Sequence, residues 1–294
     1  MANRHFGKLA DVWKHLVVTE VLAAVAPERY AETHAGSAAY PVVDNAERRY
    51  GILGFLAGPL APDLAATPFV RGVSAYVGGD PPLYPGSALQ VMSLLEDDCD
   101  YLFCDLDPES VRDLRDWAGR LGLTSCEVAE RDGMAAVREW LPDRATTVIH
   151  IDPFDPFAHE VGQPSAVELA AEVADAGHGL VYWYGYSAPA QRAWALREIA
   201  SRTNVPLWCG DLLITDADGS VRDDGDLGDA TSAGTGSGVV LANVPSELLA
   251  RCGRLAGEVV RSYDGRALPN GDAGRLDLVV ASESTRLAVE LQGE

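Results

Sequence analysis

Between residues 86 and 262 short apolar runs alternate with amphipathic stretches, and this alternation limits what the chain can fold into more than any other feature. The apolar runs predict strands at 100–105 (DYLFCD), 125–129, 146–151 (ending on Ile151), 179–184 (GLVYWY), 206–214 and 238–244. The stretches between and around them predict helices at 87–96, 108–121, 133–141, 165–176, 188–202 and 246–262. Strands separated by helices return to a mostly parallel sheet covered on both faces, with ligands at the carboxyl ends of the strands. A strand pair near 276–290 is expected to finish the sheet in antiparallel fashion.

Upstream, residues 10–25 place Val12, Trp13, Leu16, Val17, Val21 and Leu22 on one broad helical stripe, with Lys14 and His15 at its border. RYAETHAG (29–36) reads as a short strand entering a glycine turn. Residues 41–85 are broken by prolines at 59, 62, 68, 81, 82 and 85 yet still carry Leu53, Phe55, Leu56, Phe69 and Tyr76, which suits an inserted helical subdomain or lid better than a linker. The expected organisation is a first helix and strand over 1–40, an insertion over 41–85 and the rest of the core over 86–294.

Charge narrows the partners. With 23 Lys and Arg against 44 Asp and Glu the formal charge is −21, which opposes nucleic acid and anionic membrane unless a local basic patch intervenes. No uncharged apolar run approaches the roughly 18 residues a membrane span needs, and the first residues lack the apolar core of a signal peptide, so a cytoplasmic protein is expected. Cys99, Cys104, Cys126, Cys209 and Cys252 are scattered and read as core thiols. The aspartate-rich stretch 216–229 opens like a calcium loop, but Leu227 stands where a bidentate Glu is needed, so a solvated loop and no metal are expected. Gly234-x-Gly236-x-Gly238 resembles a nucleotide fingerprint, yet it precedes a strand, and a phosphate cradle needs a helix N-terminus.

Acids at strand ends suggest a nucleoside-containing cofactor. Asp105 closes DYLFCD, where a carboxylate can accept both hydroxyls of a ribose; it equally suits the start of the next helix. Asp132-Gly133 follows another strand and suits an exocyclic adenine amine. His34 stands in the glycine turn, where a loop histidine is the plainer alternative. After the strand TTVIHI comes Asp152-Pro153-Phe154-Asp155. A carboxylate and a proline carbonyl at such a turn accept the hydrogens of a planar amine and aim its lone pair, while an aromatic stacks on the ring. A turn without chemical meaning is the other reading.

The ordered motifs RH…ADVWKH (4–15), ETHAG…Y (32–40), YPGS (84–87), DLDP (105–108), ERDG (130–133), IDP (151–153), YWY (182–184) and SGVVLANVP (237–245) resemble those of the bacterial 23S ribosomal RNA adenine-N6 methyltransferase J family over almost the whole chain. The resemblance implies an α/β, Rossmann-like fold dependent on S-adenosylmethionine (SAM), with a mostly parallel seven-stranded sheet, helices on both faces and a small helical insertion after the first strand. It implies SAM contacts from His15, His34, Ser87, Asp105, Asp132 and Gly133, with Lys14 in the same helix, and gives Asp152 the amine hydrogens. His5, Pro153, Phe154, Asp155, Trp183 and Tyr184 would face the substrate.

The departures fall on the substrate side. The family's Asp-Pro-Pro-Tyr becomes Asp152-Pro153-Phe154-Asp155, Asn3 replaces a tyrosine before Arg-His, and Gly185 replaces a proline. Together with the charge they favour a small planar or cationic amine acceptor, with Asp155 as its counter-ion and Trp183 with Tyr184 as a ring-stacking wall; core aromatics on a buried strand are the plainer reading of that pair. The alternative keeps adenine methylation of 23S ribosomal RNA, through a basic face of Arg4, Lys8, Lys14, Arg48, Arg49 and Arg71. A third reading is a SAM-binding protein without methyl transfer.

Overall fold

The computed structural model describes residues 6–141, 145–157, 165–216, 218–219, 236–268 and 273–282. Its strands are β1 (Arg29–Glu32), β2 (Ala39–Pro41), β3 (Leu83–Pro85), β4 (Asp100–Asp105), β5 (Cys126–Glu130), β6 (Thr147–Ile151), β7 (Gly179–Tyr186), β8 (Trp208–Asp216), β9 (Gly236–Ala242) and β10 (Gly274–Ser282). The helices are α1 (Leu9–Val25), α2 (Ala46–Tyr50), α3 (Ile52–Ala57), α4 (Pro62–Ala65), α5 (Pro68–Val77), α6 (Ser87–Leu95), α7 (Pro108–Leu121), α8 (Gly133–Trp140), α9 (Ala166–Asp175), α10 (Pro189–Arg202) and α11 (Ser246–Ser262).

One sheet runs β10-β8-β9-β7-β6-β1-β4-β5. Pairing is parallel from β7 through β6, β1 and β4 to β5, and antiparallel where β9 meets β7 and β8 and where β10 meets β8. The α/β class and the mostly parallel sheet match the expectation; the strand number does not. Among the described residues the sheet has eight strands instead of seven, because β10 pairs with β8 over nine positions and extends the edge. The second strand expected near 290 lies outside the described residues.

Helices cover both faces. The apolar stripe of α1 packs with α5, α6 and α11 on one face, in a core that holds Trp13, Leu16, Val21 and Trp183. On the other face α8, α9 and α10 close over Ile149, Ile151, Tyr182 and Tyr184. Between β2 and β3, which pair only with each other, the chain forms α2 to α5, anchored by the buried Phe55 and Phe69. Helix starts follow the local chemistry: Asp107 accepts the Ser110 N–H ahead of Pro108, and Ser165 with Glu168 makes a reciprocal cap on α9.

The glycine-spaced segment has a packing cause. A Cβ on Gly238 would lie 2.3 Å from Tyr184 Cζ and 2.4 Å from Asp211 Oδ1, and one on Gly236 would lie 2.0 Å from Tyr186 Cζ. These glycines let two tyrosine rings lie across β9. Tyr184 O–H then donates to the buried Asp211 (2.6 Å), which also accepts from Arg192 (3.2 Å).

Candidate active site

Four neighbouring strands, β6, β1, β4 and β5, end in or just before Asp152, His34, Asp105 and Asp132. Adjacent strands lie about 4.8 Å apart, so these residues form a row along the carboxyl edge of the sheet. Lys14 and His15 reach the edge from α1 and Ser87 from the start of α6. Asp152, His34, Lys14, His15, Gly36 and Ser87 share the wall of one open cleft, with Asp11, Phe6, Tyr40 and Tyr84.

The β1 turn is made tight by glycine. Gly36 has φ +59°, and a Cβ there would meet Tyr40 Oη at 2.6 Å. Its N–H donates to Asp105 Oδ2 (2.8 Å), while Asp107 N–H donates to Asp105 Oδ1 (2.8 Å). The carboxylate is therefore fixed from two turns, and each oxygen keeps a lone pair for a further donor. Leu106, next in sequence, is an apolar side chain left 70% exposed. Asp132 Oδ1 caps α8 by accepting Ala135 N–H (2.7 Å), and Gly133 approaches β1 so closely that a Cβ would sit 1.9 Å from Thr33 O.

Beneath the cleft lies a charged network. Lys14 Nζ is 2.8 Å from Asp152 Oδ2, 3.2 Å from Asp11 Oδ1 and 5.0 Å from the centre of the Trp183 ring. Burial disfavours the ammonium, but the two carboxylates outweigh it and raise the Lys14 pKa. Burial likewise pushes the Asp152 carboxyl up; the Lys14 charge, with His150 and the hydrogen bond, overrides it and holds Asp152 below the usual range.

His15 is different: burial and then the Lys14 charge lower its pKa to about 3, so the ring is neutral. Gln90 Nε2 donates to Pro85 O (2.9 Å) and lies 3.1 Å from His15 Nδ1, which Tyr84 Oη also approaches at 2.9 Å. An amide nitrogen can only donate, which makes Nδ1 the acceptor and leaves the ring proton on Nε2. His34, lowered mainly by burial, lies 2.8 Å from Thr33 Oγ1.

Glu32, at the end of β1, is wholly buried and accepts from Ser87 O–H (2.5 Å) and Tyr30 O–H (3.1 Å), with His150 Nδ1 3.2 Å away. Glu32, His150 and Asp152 bring ligand atoms within 4.8 Å of one another. Ser87 and Tyr30 occupy the two Glu32 oxygens, and the Lys14 ammonium on Asp152 Oδ2 would repel a cation there, so the donor set does not suit one. Glu32, Asp11, Tyr84, Gln90 and His150 were not singled out from the sequence. Only Glu32 carried a readable signal, an acid at a strand end like Asp105.

The substrate-side residues separate. Asp152 N–H donates to Thr33 Oγ1 (3.3 Å), Pro153 is buried, and Phe154 stands 84% exposed. Asp155 is exposed, and its Oδ1 accepts Phe157 N–H (2.9 Å) within its own turn. Trp183 and Tyr184 cannot form one wall: successive strand residues point to opposite faces. Trp183 donates to Ser237 Oγ (2.9 Å) under Lys14, and Tyr184 donates to Asp211 on the far side. His5 lies outside the described residues.

Of the residues expected to form a basic face, Arg49 and Arg71 are the exposed ones among the described residues. Lys8 is buried and paired with Glu47 (3.2 Å), Lys14 is engaged as above, and Arg48 is buried with its guanidinium 3.9 Å from the centre of the Phe6 ring. Arg49 is exposed but paired with Asp44 (2.6 Å), Arg71 is exposed, and Arg4 lies outside the described residues.

The sequence matches no family model and no curated protein. Among solved structures the fold is similar to that of protein LPL1258 from Legionella pneumophila str. Philadelphia 1, described under family-model DUF519, with TM-score 0.69 and 21% identity over 95% of this chain and 99% of that one. A probable spermidine synthase from Corynebacterium glutamicum ATCC 13032 aligns with TM-score 0.46 and 11% identity over 97% and 78% of the two chains. A methyltransferase homologue from Pyrococcus horikoshii aligns with TM-score 0.35 and 8% identity over 78% and 66%. The likeness to LPL1258 shows a shared fold. No helix among the described residues is long and apolar enough to cross a membrane.

Proposed function

We propose that the protein is a SAM-dependent N-methyltransferase acting on a small planar amine, with Asp152 as the group that accepts the amine hydrogens. The observation that carries this reading is the row Asp152, His34, Asp105 and Asp132 on four adjacent strand ends, three of them acids. The site suits the cofactor in its own chemistry. Asp105, held by two backbone N–H groups, has lone pairs left for a diol, and the exposed Leu106, next in sequence, offers an apolar surface for a base. His15, His34 and Ser87 would meet the amino-acid part, and Asp132 with Gly133 the adenine edge. SAM, when bound, supplies the electrophilic methyl group.

The residues of the chain do the rest. Lys14 occupies Asp152 Oδ2, which leaves Oδ1 to accept an N–H of the acceptor and orient its lone pair. With its carboxyl held low, Asp152 is ionised at neutral pH and serves as a hydrogen-bond acceptor throughout. Charge supports a small acceptor: Lys8, Lys14 and Arg48 are buried and engaged, which removes three cations from the basic face that an RNA backbone would need.

Calorimetric titration with SAM should show binding to the wild type and a loss of at least about tenfold in Asp105→Ala. Asp152→Asn should keep SAM affinity within about threefold while abolishing methyl transfer from labelled SAM to the amine that the wild type methylates. Equal SAM affinity in Asp105→Ala would remove the cofactor assignment. Methyl incorporation into undermodified ribosomal RNA at physiological salt would replace the small amine by RNA as acceptor.

A further inference from the structure

We propose that Glu32 is a positioning residue: supported by Tyr30 and His150, it takes the hydroxyl hydrogen bond of Ser87 and so leaves Ser87 Oγ as an acceptor for the ammonium at the amino-acid end of the cofactor. The proposal rests on the methyltransferase reading and deepens it, adding two buried groups beneath the side chains that line the cleft.

The sheet register brings these groups together. Glu32 and His150 are directly opposed in the parallel pair β1–β6, and Tyr30 lies two residues before Glu32, on the same face. Both Glu32 and His150 are wholly buried. The start of α6 meets the β1 turn so closely that a Cβ on Gly86 would lie 2.5 Å from Ser37 O, and this approach delivers Ser87 to Glu32.

Three donors converge on one carboxylate. Ser87 O–H donates to Oε1 (2.5 Å), Tyr30 O–H donates to Oε2 (3.1 Å), and His150 Nδ1 is 3.2 Å from Oε1. A bare Nδ1 would set its lone pair against those of Oε1, so Nδ1 carries the proton and donates. His150 Nε2 is then a buried acceptor with no partner among the described residues, an arrangement that costs stability. Val148, two residues earlier on the same face, is apolar and buried, and an apolar side chain would fill position 150 equally well. The donor that the imidazole gives to Glu32 accounts for its presence.

The consequence is felt in the cleft. A carboxylate only accepts, so the Ser87 hydrogen is committed to Glu32 and Oγ keeps only lone pairs for a ligand. Charge places a ligand's ammonium at Ser87. Lys14 already lies between Asp11 and Asp152 and repels a second cation from them, whereas Ser87 is backed by the Glu32 carboxylate. His15, neutral with its proton on Nε2, lines the same cleft and offers a donor to the carboxylate. An amino-acid end is thereby read in one sense, ammonium at Ser87 and carboxylate at His15.

The test titrates the full chain by calorimetry with S-adenosylhomocysteine, with its deaminated analogue, which keeps the carboxylate, and with its decarboxylated analogue, which keeps the ammonium. The wild type should bind S-adenosylhomocysteine at least about tenfold more tightly than the deaminated analogue. Ser87→Ala and Glu32→Gln should each weaken S-adenosylhomocysteine and the decarboxylated analogue by about tenfold, and the deaminated analogue by less than about twofold. Because Glu32 acts through Ser87, the double variant should bind within about twofold of Ser87→Ala alone. His150→Leu removes one donor to Glu32 and keeps the core filled; it should show the same selective loss at about threefold, and it serves if Glu32→Gln fails to fold. Equal wild-type affinity for S-adenosylhomocysteine and the deaminated analogue overturns the proposal without any variant. Equal losses for all three ligands in Glu32→Gln or His150→Leu overturn it by showing a merely structural role, and losses that multiply in the double variant overturn it by showing that Glu32 does not act through Ser87. If S-adenosylhomocysteine does not bind the wild type, the methyltransferase reading falls instead.

Discussion

The ammonium of Lys14 lies between two carboxylates and above an indole, and burial together with this charge keeps its neighbour His15 neutral. In an unfolded chain His15 binds a proton as pH falls through about 6.5; in the folded protein it does so only near about 3. Stability from keeping this ring neutral is present above about 6.5 and is lost progressively as pH falls from there toward about 3, at up to about 1.4 kcal/mol per pH unit. Denaturant midpoints measured from neutral to mildly acid pH should therefore fall more steeply for the wild type than for His15→Asn. Parallel slopes would show that His15 protonates freely in the folded state. Asp105, Asp132 and Asp152 were legible as strand-end acids. Glu32, Asp11, Tyr84 and Gln90 were not, since their roles arise from side chains that different elements deliver to one place.

Among the elements, β7, β9 and β8 show how a glycine pattern is misread without its neighbours. Tyr184, Gly238 and Asp211 stand in register across three strands, and the missing side chain in the middle is what lets the outer two bond. Gly238→Ala should cost about 1–3 kcal/mol by urea titration, because neither a ring in the core nor a buried carboxylate can move aside freely. A change below about 0.5 kcal/mol would mean that the sheet accommodates the methyl group. The helix and strand bounds of the core were readable from periodicity and caps, as at Asp107-Pro108. The edge strand β10 was less so, because an added edge strand changes the count without changing the pattern of the others. The two faces of β7 were readable in principle from period-two alternation, which separates Trp183 from Tyr184.

Taken whole, the molecule carries −21 formal charges, and its buried cations are spent on internal pairs such as Lys8–Glu47 and Lys14–Asp152. Such an excess repels itself in the compact state. Raising sodium chloride from about 0.05 M to about 0.5 M shortens the screening length severalfold and should raise the thermal midpoint. A midpoint that falls with salt would show that the ion pairs outweigh the repulsion.

Order along the chain determined a good deal. Strand–helix alternation specified an α/β sheet with its working edge at the carboxyl ends, and the acids after β4, β5 and β6 were thereby placed on one edge of one molecule. Those inferences hold because periodicity and strand-end position are local properties. Which side chains face one another is not local. Only the tertiary structure decided that Lys14 neutralises Asp152, that Lys8 is buried against Glu47, and that Trp194 reaches Phe157. Each depends on two elements distant in sequence being brought within a few ångströms of one another.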